Sequence, residues 1–575
     1  MQTGTFFESS QQIVKRFLNN VVAIDDKLSF VKLTSTGSES DDDFDSNEDG
    51  SGLGAANTQT ATPAQLRLKV DSHQLDYQDL SLSFAEYGIN CSGFIPDAQR
   101  FNTSEKAATK IMESARRADI TILDWDMDDG FANSSKGTLA KTSIEKILVH
   151  DKEQHGRLRL IVIYTAEPNQ VDIAEEIRVH LHSDEDTGIK AVREDKTVSF
   201  ESPDLEFCQI VVIEKKVSAN DLREEVIKLF TQLTIGLLPN AALSALGELR
   251  DRTHHILHTF NKDLDPAYLS HILGLLSSPK VRESADEVAF DYAAELIAEE
   301  FKSILQISQP LKSSLNKDRI KLWLDYINKD NESDFFSITV GDKSGSSDSV
   351  RIKKLLDATK TKQIKSVLEE EPRLIIGEDF PHNYFEESRI EVNIKNGPVD
   401  SHEKLSIIEC KRRDGLSLLN QKYEPNIKLG SIVKNSNNEY YVCLQPLCDS
   451  VRLSCDTGFL FLKVDDVTGT NGKFSHVIQS STGMSIKLMI RPNAKNIYKF
   501  TLKYNQTSRT IKVSHRGNGD YVVENKKHDN SVEDMLWVGE FKNNVAQAIS
   551  NNVAASISRV GLDTNEWLRL SASSR

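Results

Sequence analysis

Long hydrophobic runs are missing from this chain of 575 residues. A membrane-spanning helix needs about 18 to 20 consecutive apolar residues, so no membrane span is expected. Positive charge is in deficit. Lys and Arg number 70 against 86 Asp and Glu, for a formal net charge of −16. A general affinity for nucleic acid is therefore not favoured. Cysteine is scarce: six residues are scattered through the chain. With no secretory signal at the N-terminus, they fit a reducing cytoplasm better than a disulfide framework. The remainder, 38% hydrophobic and 27% charged, permits roughly two to four domains with substantial cores.

What the chain does have is a set of short apolar runs that end on polar tips. Ile120-Thr-Ile-Leu-Asp124-Trp-Asp126-Met reads as a buried strand ending on a carboxylate. Val21-Val-Ala-Ile-Asp25-Asp26 ends on two acids. Leu160-Ile-Val-Ile-Tyr-Thr165-Ala166 ends on a hydroxyl, and Gln209-Ile-Val-Val-Ile-Glu-Lys215-Lys216 on an ammonium. In open α/β sheets, sites lie at the carboxyl ends of the strands. An acid pair, a lone Asp, a Thr and a Lys brought together there would suit phosphoryl acceptance. Moving a phosphoryl group onto a carboxylate calls for a divalent ion to gather and neutralise the phosphate oxygens. Mg²⁺ takes oxygen ligands in octahedral geometry. Asp25, Asp26 and Asp124 would supply carboxylates, and Asp126 its carbonyl. Asp124 would be the nucleophile, Thr165 would hydrogen-bond a phosphoryl oxygen, and Lys215 would pair with the carboxylate or phosphate.

Asp124-Trp125-Asp126-Met127 and Thr165-Ala166 resemble the phosphorylation-site and switch-hydroxyl motifs of response-regulator receiver domains. The resemblance covers residues from about 18 to 235. It implies a doubly wound, five-stranded parallel α/β sheet of the flavodoxin-like kind. It also implies Mg²⁺ as cofactor and phosphorylation of the central Asp by a histidine kinase or a GHKL-type ATPase partner. Long chains joining an atypical receiver to unfamiliar modules resemble components of bacterial anti-phage defence systems. The sequence departs from the family in a long stretch between Asp26 and the next plausible helix, and at three single positions. Lys216 stands where Pro usually follows the site Lys, which leaves Lys215 and Lys216 as alternatives. Val212 replaces the aromatic residue often found three positions before the Lys. Asp128 stands where a Pro is expected after the phosphoacceptor.

Along the rest of the chain, residues 1–17 read as a helical lead-in carrying Phe6, Phe7, Ile13, Val14 and Phe17. Residues 35–63 form an acidic insertion, expected to be disordered because its composition cannot offset ordering entropy. Ser218 is a candidate N-cap for the last receiver helix. Residues 236–325 show three- and four-residue apolar spacing and read as a helical module serving output or dimerisation. Residues 326–530 read as a β-rich domain, with candidate strands at 374–376, 405–410, 440–444, 459–464, 497–502 and 521–523 and a small barrel near 430–464. Residues 531–575 read as a C-terminal helical segment.

Weaker signals lie outside the receiver. Glu409-Cys-Lys411 at the end of an apolar run, with Asp379 ending an earlier one, resembles the acid and Glu-x-Lys set of PD-(D/E)xK nucleases. That gives an alternative reading as a receiver-regulated Mg²⁺ nuclease. His254 and His258, one helical turn apart, lack a third ligand for a metal. Ten Lys and Arg against three Asp and Glu over residues 487–529 would suit phosphate contacts. The leading expectation is a phospho-accepting signalling protein whose Asp124 controls a helical and β-rich output region; the third reading is a scaffold that never takes phosphate.

Overall fold

The structure is a computed structural model. It describes residues 5–29, 75–132, 134–183, 187–215, 218–278, 282, 285–341, 343–374, 390–412, 424–470, 474–479, 484–516 and 520–557. The acidic insertion, Asp379, Lys216 and the last 18 residues lie outside these. The chain divides into two compact units, one of residues 1–253 and 302–327, the other of residues 254–301 and 328–575. The first unit thus extends past the expected boundary at 235 and takes in segments from both ends of the expected helical module.

Helix α1 (Phe6–Phe17) opens the first unit behind a capping box made by Thr5 and Glu8. Strand β1 (Asn20–Ile24) follows. A two-residue parallel pair, β2 (Leu28–Ser29) and β3 (Leu75–Asp76), brings together the two ends of the chain around the insertion. Then come α2 (Tyr77–Ala85), β4 (Asn90–Phe94), α3 (Ala98–Phe101), α4 (Ser104–Ala115), β5 (Ile120–Leu123), α5 (Thr138–Glu153), β6 (Arg159–Thr165) and α6 (Gln170–Ser183). Strands β7 (Ala191–Glu194), β8 (Thr197–Phe200) and β9 (Cys208–Glu214) precede α7 (Ala219–Thr234) and α8 (Leu237–Asp251). Ser218 caps α7 as expected, accepting from the Asp221 N–H at 3.2 Å.

The sheet runs β4-β1-β5-β6-β9-β8-β7. Its first five strands are parallel, the doubly wound order expected. The hairpin β7–β8 adds two antiparallel strands along β9, extending the expected five to seven. Strands buried on both faces are expected to be nearly continuous apolar runs, and the inner strands β1, β5, β6 and β9 are so, apart from buried Thr121 and the polar residues at their ends. Ile24, Leu123, Ile161, Ile163, Ile210 and Val212 pack with α4, α5 and α6. Val21, Ile122, Val162, Val211 and Ile213 pack with α1, α2 and α7 on the other face.

The second unit contains helix Asp265–Leu276 and a three-stranded antiparallel sheet of β10 (Phe336–Val340), β11 (Lys343–Ser347) and β12 (Ile390–Ile394). It also holds β13 (Ser431–Lys434), β14 (Tyr440–Cys443), β15 (Thr457–Asp466), β16 (His476–Gln479), β17 (Ser485–Met489), β18 (Ile497–Leu502), β19 (Ser514–Arg516), β20 (Asp520–Lys526) and β21 (Val532–Glu540). Six of these close on themselves in the order β13-β14-β15-β18-β20-β21-β13. The expected small barrel is present, and it spans residues 431–540. Val433, Tyr441, Phe459, Phe461, Met535 and Trp537 form one buried cluster of the barrel. A second cluster joins strand residues of opposite phase, such as Ile432 and Val442, to Ile549 and Val553 of the terminal helix Asn543–Ile557.

Two expectations are corrected here. Residues 405–410 are not a strand but the end of helix Ser401–Cys410; a short run such as Leu405-Ser-Ile-Ile suits either period. The C-terminal segment is not helical from 531, since Trp537 lies in β21.

Candidate functional site

The switch point of this sheet falls between β1 and β5, where strand order reverses, and ligands bind at such points. Ile24 and Leu123 are in register there, and the Asp124 N–H donates to the Ile24 carbonyl at 2.9 Å. That bond sets the residues after the two strands side by side. Asp25, Asp26 and Asp124 each offer a carboxylate oxygen within 4.8 Å of the others. Lys215, following β9, reaches in: its Nζ lies 2.6 Å from Asp25 Oδ2 and 2.8 Å from Asp124 Oδ2. The Lys215 N–H donates to the Thr165 carbonyl at 2.8 Å, which ties the Lys to the end of β6. Lys215 stands in the cluster; Lys216, the other candidate, lies outside the described residues.

Three carboxylates face one ammonium, so the cluster is short of positive charge. Burial, reinforced by Asp124 and Asp25, pushes the Asp26 carboxyl from 3.8 to about 7. Burial and then Asp25 push Asp124 to about 6, against the pull of Lys215. Burial works against charge on Lys215, yet Asp124 and Asp25 outweigh it and hold the ammonium above its ordinary value. Asp26 Oδ1 is buried without a hydrogen-bond partner. The remaining lone pairs are organised. Asp25 Oδ1 accepts from the Lys27 N–H at 2.7 Å, and Asp124 Oδ1 from the Trp125 N–H at 2.7 Å. An orphaned oxygen among three converging carboxylates fits a hard divalent cation.

Thr165 is 1% exposed, and its Oγ1 accepts from the Glu167 N–H at 3.2 Å. Its hydroxyl proton is therefore left to donate elsewhere. Asp126 points outward, 3.4 Å from Lys136 Nζ, and Lys136 also pairs with Glu167. This bridge joins the loops after β5 and β6. Neither Lys136 nor Glu167 stood out in the sequence, because neither ends an apolar run. Asp128 accepts from the Ser134 hydroxyl and, at 3.0 Å, from the N–H of Leu139 in the first turn of α5. The acid standing in the place of a Pro thus has its own structural use. Gly137 starts α5 at φ +80°, and a Cβ there would lie 2.3 Å from the Trp125 ring. That close approach seats the indole beside Asp124.

The remaining candidates form no group of three metal-ligating side chains among the described residues. Glu409 and Lys411 sit at the end of a helix, and Asp379 lies outside the described residues. His254 and His258 form no group of three ligands with other residues; the acidic cluster is the one such group among the described residues. All six cysteines are free.

Residues 17–218 match the response receiver domain family. The order of the parallel strands, and that match, make the N-terminal domain of this protein a response-regulator receiver domain. Comparison with the curated proteins and with the solved structures returned no match. No single helix is long and apolar enough to cross a membrane among the described residues.

Proposed function

We propose that this protein accepts a phosphoryl group on Asp124 and that the modification controls the remainder of the chain. The observation carrying this reading is the convergence of Asp25, Asp26, Asp124 and Lys215 from three strand ends. In the reaction, a carboxylate oxygen of Asp124 attacks phosphorus. The bond from phosphorus to the donor imidazole breaks, and the electron pair leaves with the imidazole nitrogen, which takes up a proton. Asp25, Asp26 and Asp124, with the Asp126 carbonyl, would hold Mg²⁺; the ion supplies charge neutralisation of the phosphate oxygens. Lys215 offsets the charge of Asp124 and stays close to the new acyl phosphate. Thr165 donates its hydroxyl to a phosphoryl oxygen. The added charge at a packed strand end biases the neighbouring loops between two arrangements.

The donor in this reading is a histidine kinase or a GHKL-type ATPase, and the setting a bacterial defence system. The helical and β-rich region is the output. Acetyl phosphate labelling and beryllofluoride binding test the chemistry. Both are expected to require Mg²⁺ and to vanish in Asp124→Asn. Absence of both in the wild-type protein assigns the domain to the phosphate-independent scaffold.

A further inference from the structure

A second polar site lies in the first unit among α1, α8 and the helices Gln309–Ser314 and Lys317–Ile327. A cavity of about 240 Å³ opens there. Arg319 lines it, and its Nη1 is buried with no hydrogen-bond partner. Burial lowers the Arg319 pKa, and no carboxylate opposes that effect. A guanidinium nitrogen left in this state carries a desolvation cost that nothing in the protein offsets. The other cation on the wall is already matched: Arg16 pairs with the buried Glu248 at 2.9 Å and with Asp251 at 3.2 Å. The unmatched charge is therefore the single positive charge of Arg319.

The rest of the lining sets a few neutral donors among the apolar side chains of Ile13, Leu243 and Pro310. Ser9 and Gln12 come from α1, Ser244 from α8, and Ser313 from Gln309–Ser314. With Arg319, they reach the cavity from four different helices. A ligand that satisfies them must accept hydrogen bonds on several sides and carry negative charge. A tetrahedral oxyanion does both, and guanidinium matches its oxygens in fork geometry. The cavity is smaller than the roughly 300–1,000 Å³ typical of sites for larger organic ligands, which excludes a nucleotide and admits a phosphate ion or a short phosphate ester. We propose that this cavity binds a phosphate-type oxyanion through Arg319 and the surrounding hydroxyls. The chain leaves the first unit just after α8 and returns just before Gln309–Ser314. A bound anion would tie those outgoing and returning helices to α1. The site is separate from the phosphoryl-acceptor cluster and does not depend on it.

Sodium phosphate titrated in EDTA, so that the acidic cluster has no cation with which to recruit it, tests the proposal by thermal unfolding and calorimetry. The wild-type protein is expected to gain Tm and to saturate, while sodium acetate at equal ionic strength does not reproduce the effect. Arg319→Met is expected to unfold no lower than wild type in chloride buffer, because the uncompensated cation is gone, and to lose the phosphate response. Ser9→Val keeps Arg319 but puts bulk in the cavity, and is expected to weaken phosphate at least about 10-fold; it carries the test if Arg319→Met fails to fold. Glycerol phosphate binding more tightly than inorganic phosphate assigns an ester as ligand, and weaker binding assigns the free ion. No phosphate response in wild type, an equal response in both variants, or an equal response to acetate overturns the proposal.

Discussion

The two ends of the receiver sheet both bury ionic groups, and they do so in opposite ways. At the amino end of β6, Arg159 is fully buried and grips Asp151 with two parallel bonds, Nε to Oδ2 and Nη2 to Oδ1 at 2.9 Å. Its Nη1 donates to the carbonyls of Ala115 and Ala118 at 2.7 and 3.3 Å. Charges cancel there and the donors are used. At the carboxyl ends, three acids share one ammonium, Asp26 keeps an orphaned oxygen, and two carboxyls are pushed up toward neutral pH. A completed pair locks a fold together. An incomplete cluster stores unfavourable charge that an incoming cation can relieve, and such perturbed groups gather at functional sites.

Variants at the two ends should separate along that line. The largest effect is Asp124→Asn, which is expected to abolish acetyl phosphate labelling with no loss of thermal stability, because it removes one of the crowded charges. Arg159→Met does the reverse. It strands the Asp151 carboxylate and is expected to cost about 3–5 kcal/mol in urea unfolding, while labelling of the folded fraction persists. Lys215→Met is expected to slow labelling about 100-fold, the scale seen when one donor to a developing charge is removed. The pH dependence comes next. Asp26 and Asp124 have folded pKa values raised above 3.8, so the folded state holds more protons than the unfolded one between about pH 4 and 7. Their contribution to stability is fully present below about pH 4 and is lost as pH climbs through about 6 and 7. Without metal, Tm is expected to fall over that range, with Asp124 the larger contributor because solvent reaches Asp26. Saturating Mg²⁺ is expected to flatten the fall. The smallest effect is Lys136→Ala: its bridge to Asp126 and Glu167 is nearly half exposed on every partner, so a stability change under about 1 kcal/mol is expected. An effect as large as that of Lys215→Met would mean the outer bridge belongs to the chemistry.

The carboxyl-end cluster was legible because each member lies at or just past the end of a short, mainly apolar run. Val21 to Ile24, Ile120 to Leu123, Leu160 to Tyr164 and Ile210 to Ile213 each announce a buried strand, and the polar residues that follow, Lys215 one place beyond Glu214 among them, then sit at or just past its tip. The amino-end pair gave no such signal, since Asp151 lies near the end of a helix and Arg159 starts a strand eight residues later. Helix α5 itself was missed, as was the hairpin β7–β8. Four alternating residues on each side of Asp195-Lys196 are too short to weigh against a loop, although Asp195 turns the corner at φ +51°. The barrel's closure rests on β13 pairing with β21, about a hundred residues apart, and nothing local encodes that partner. The Glu409 run failed for a different reason: three apolar residues in four positions suit a helix face as well as a strand.

The hairpin has a consequence for behaviour at high concentration. Without it, the seven-residue strand β9 would present bare amides and carbonyls along one side, a template for pairing with another molecule. With it, the sheet ends instead on the four residues of β7, three of them at least partly charged or exposed in the stretch Ala191-Val-Arg-Glu. Excising residues 190–201 should therefore turn a well-behaved receiver into one that self-associates into fibrous or amorphous aggregates, even where the parallel core remains intact.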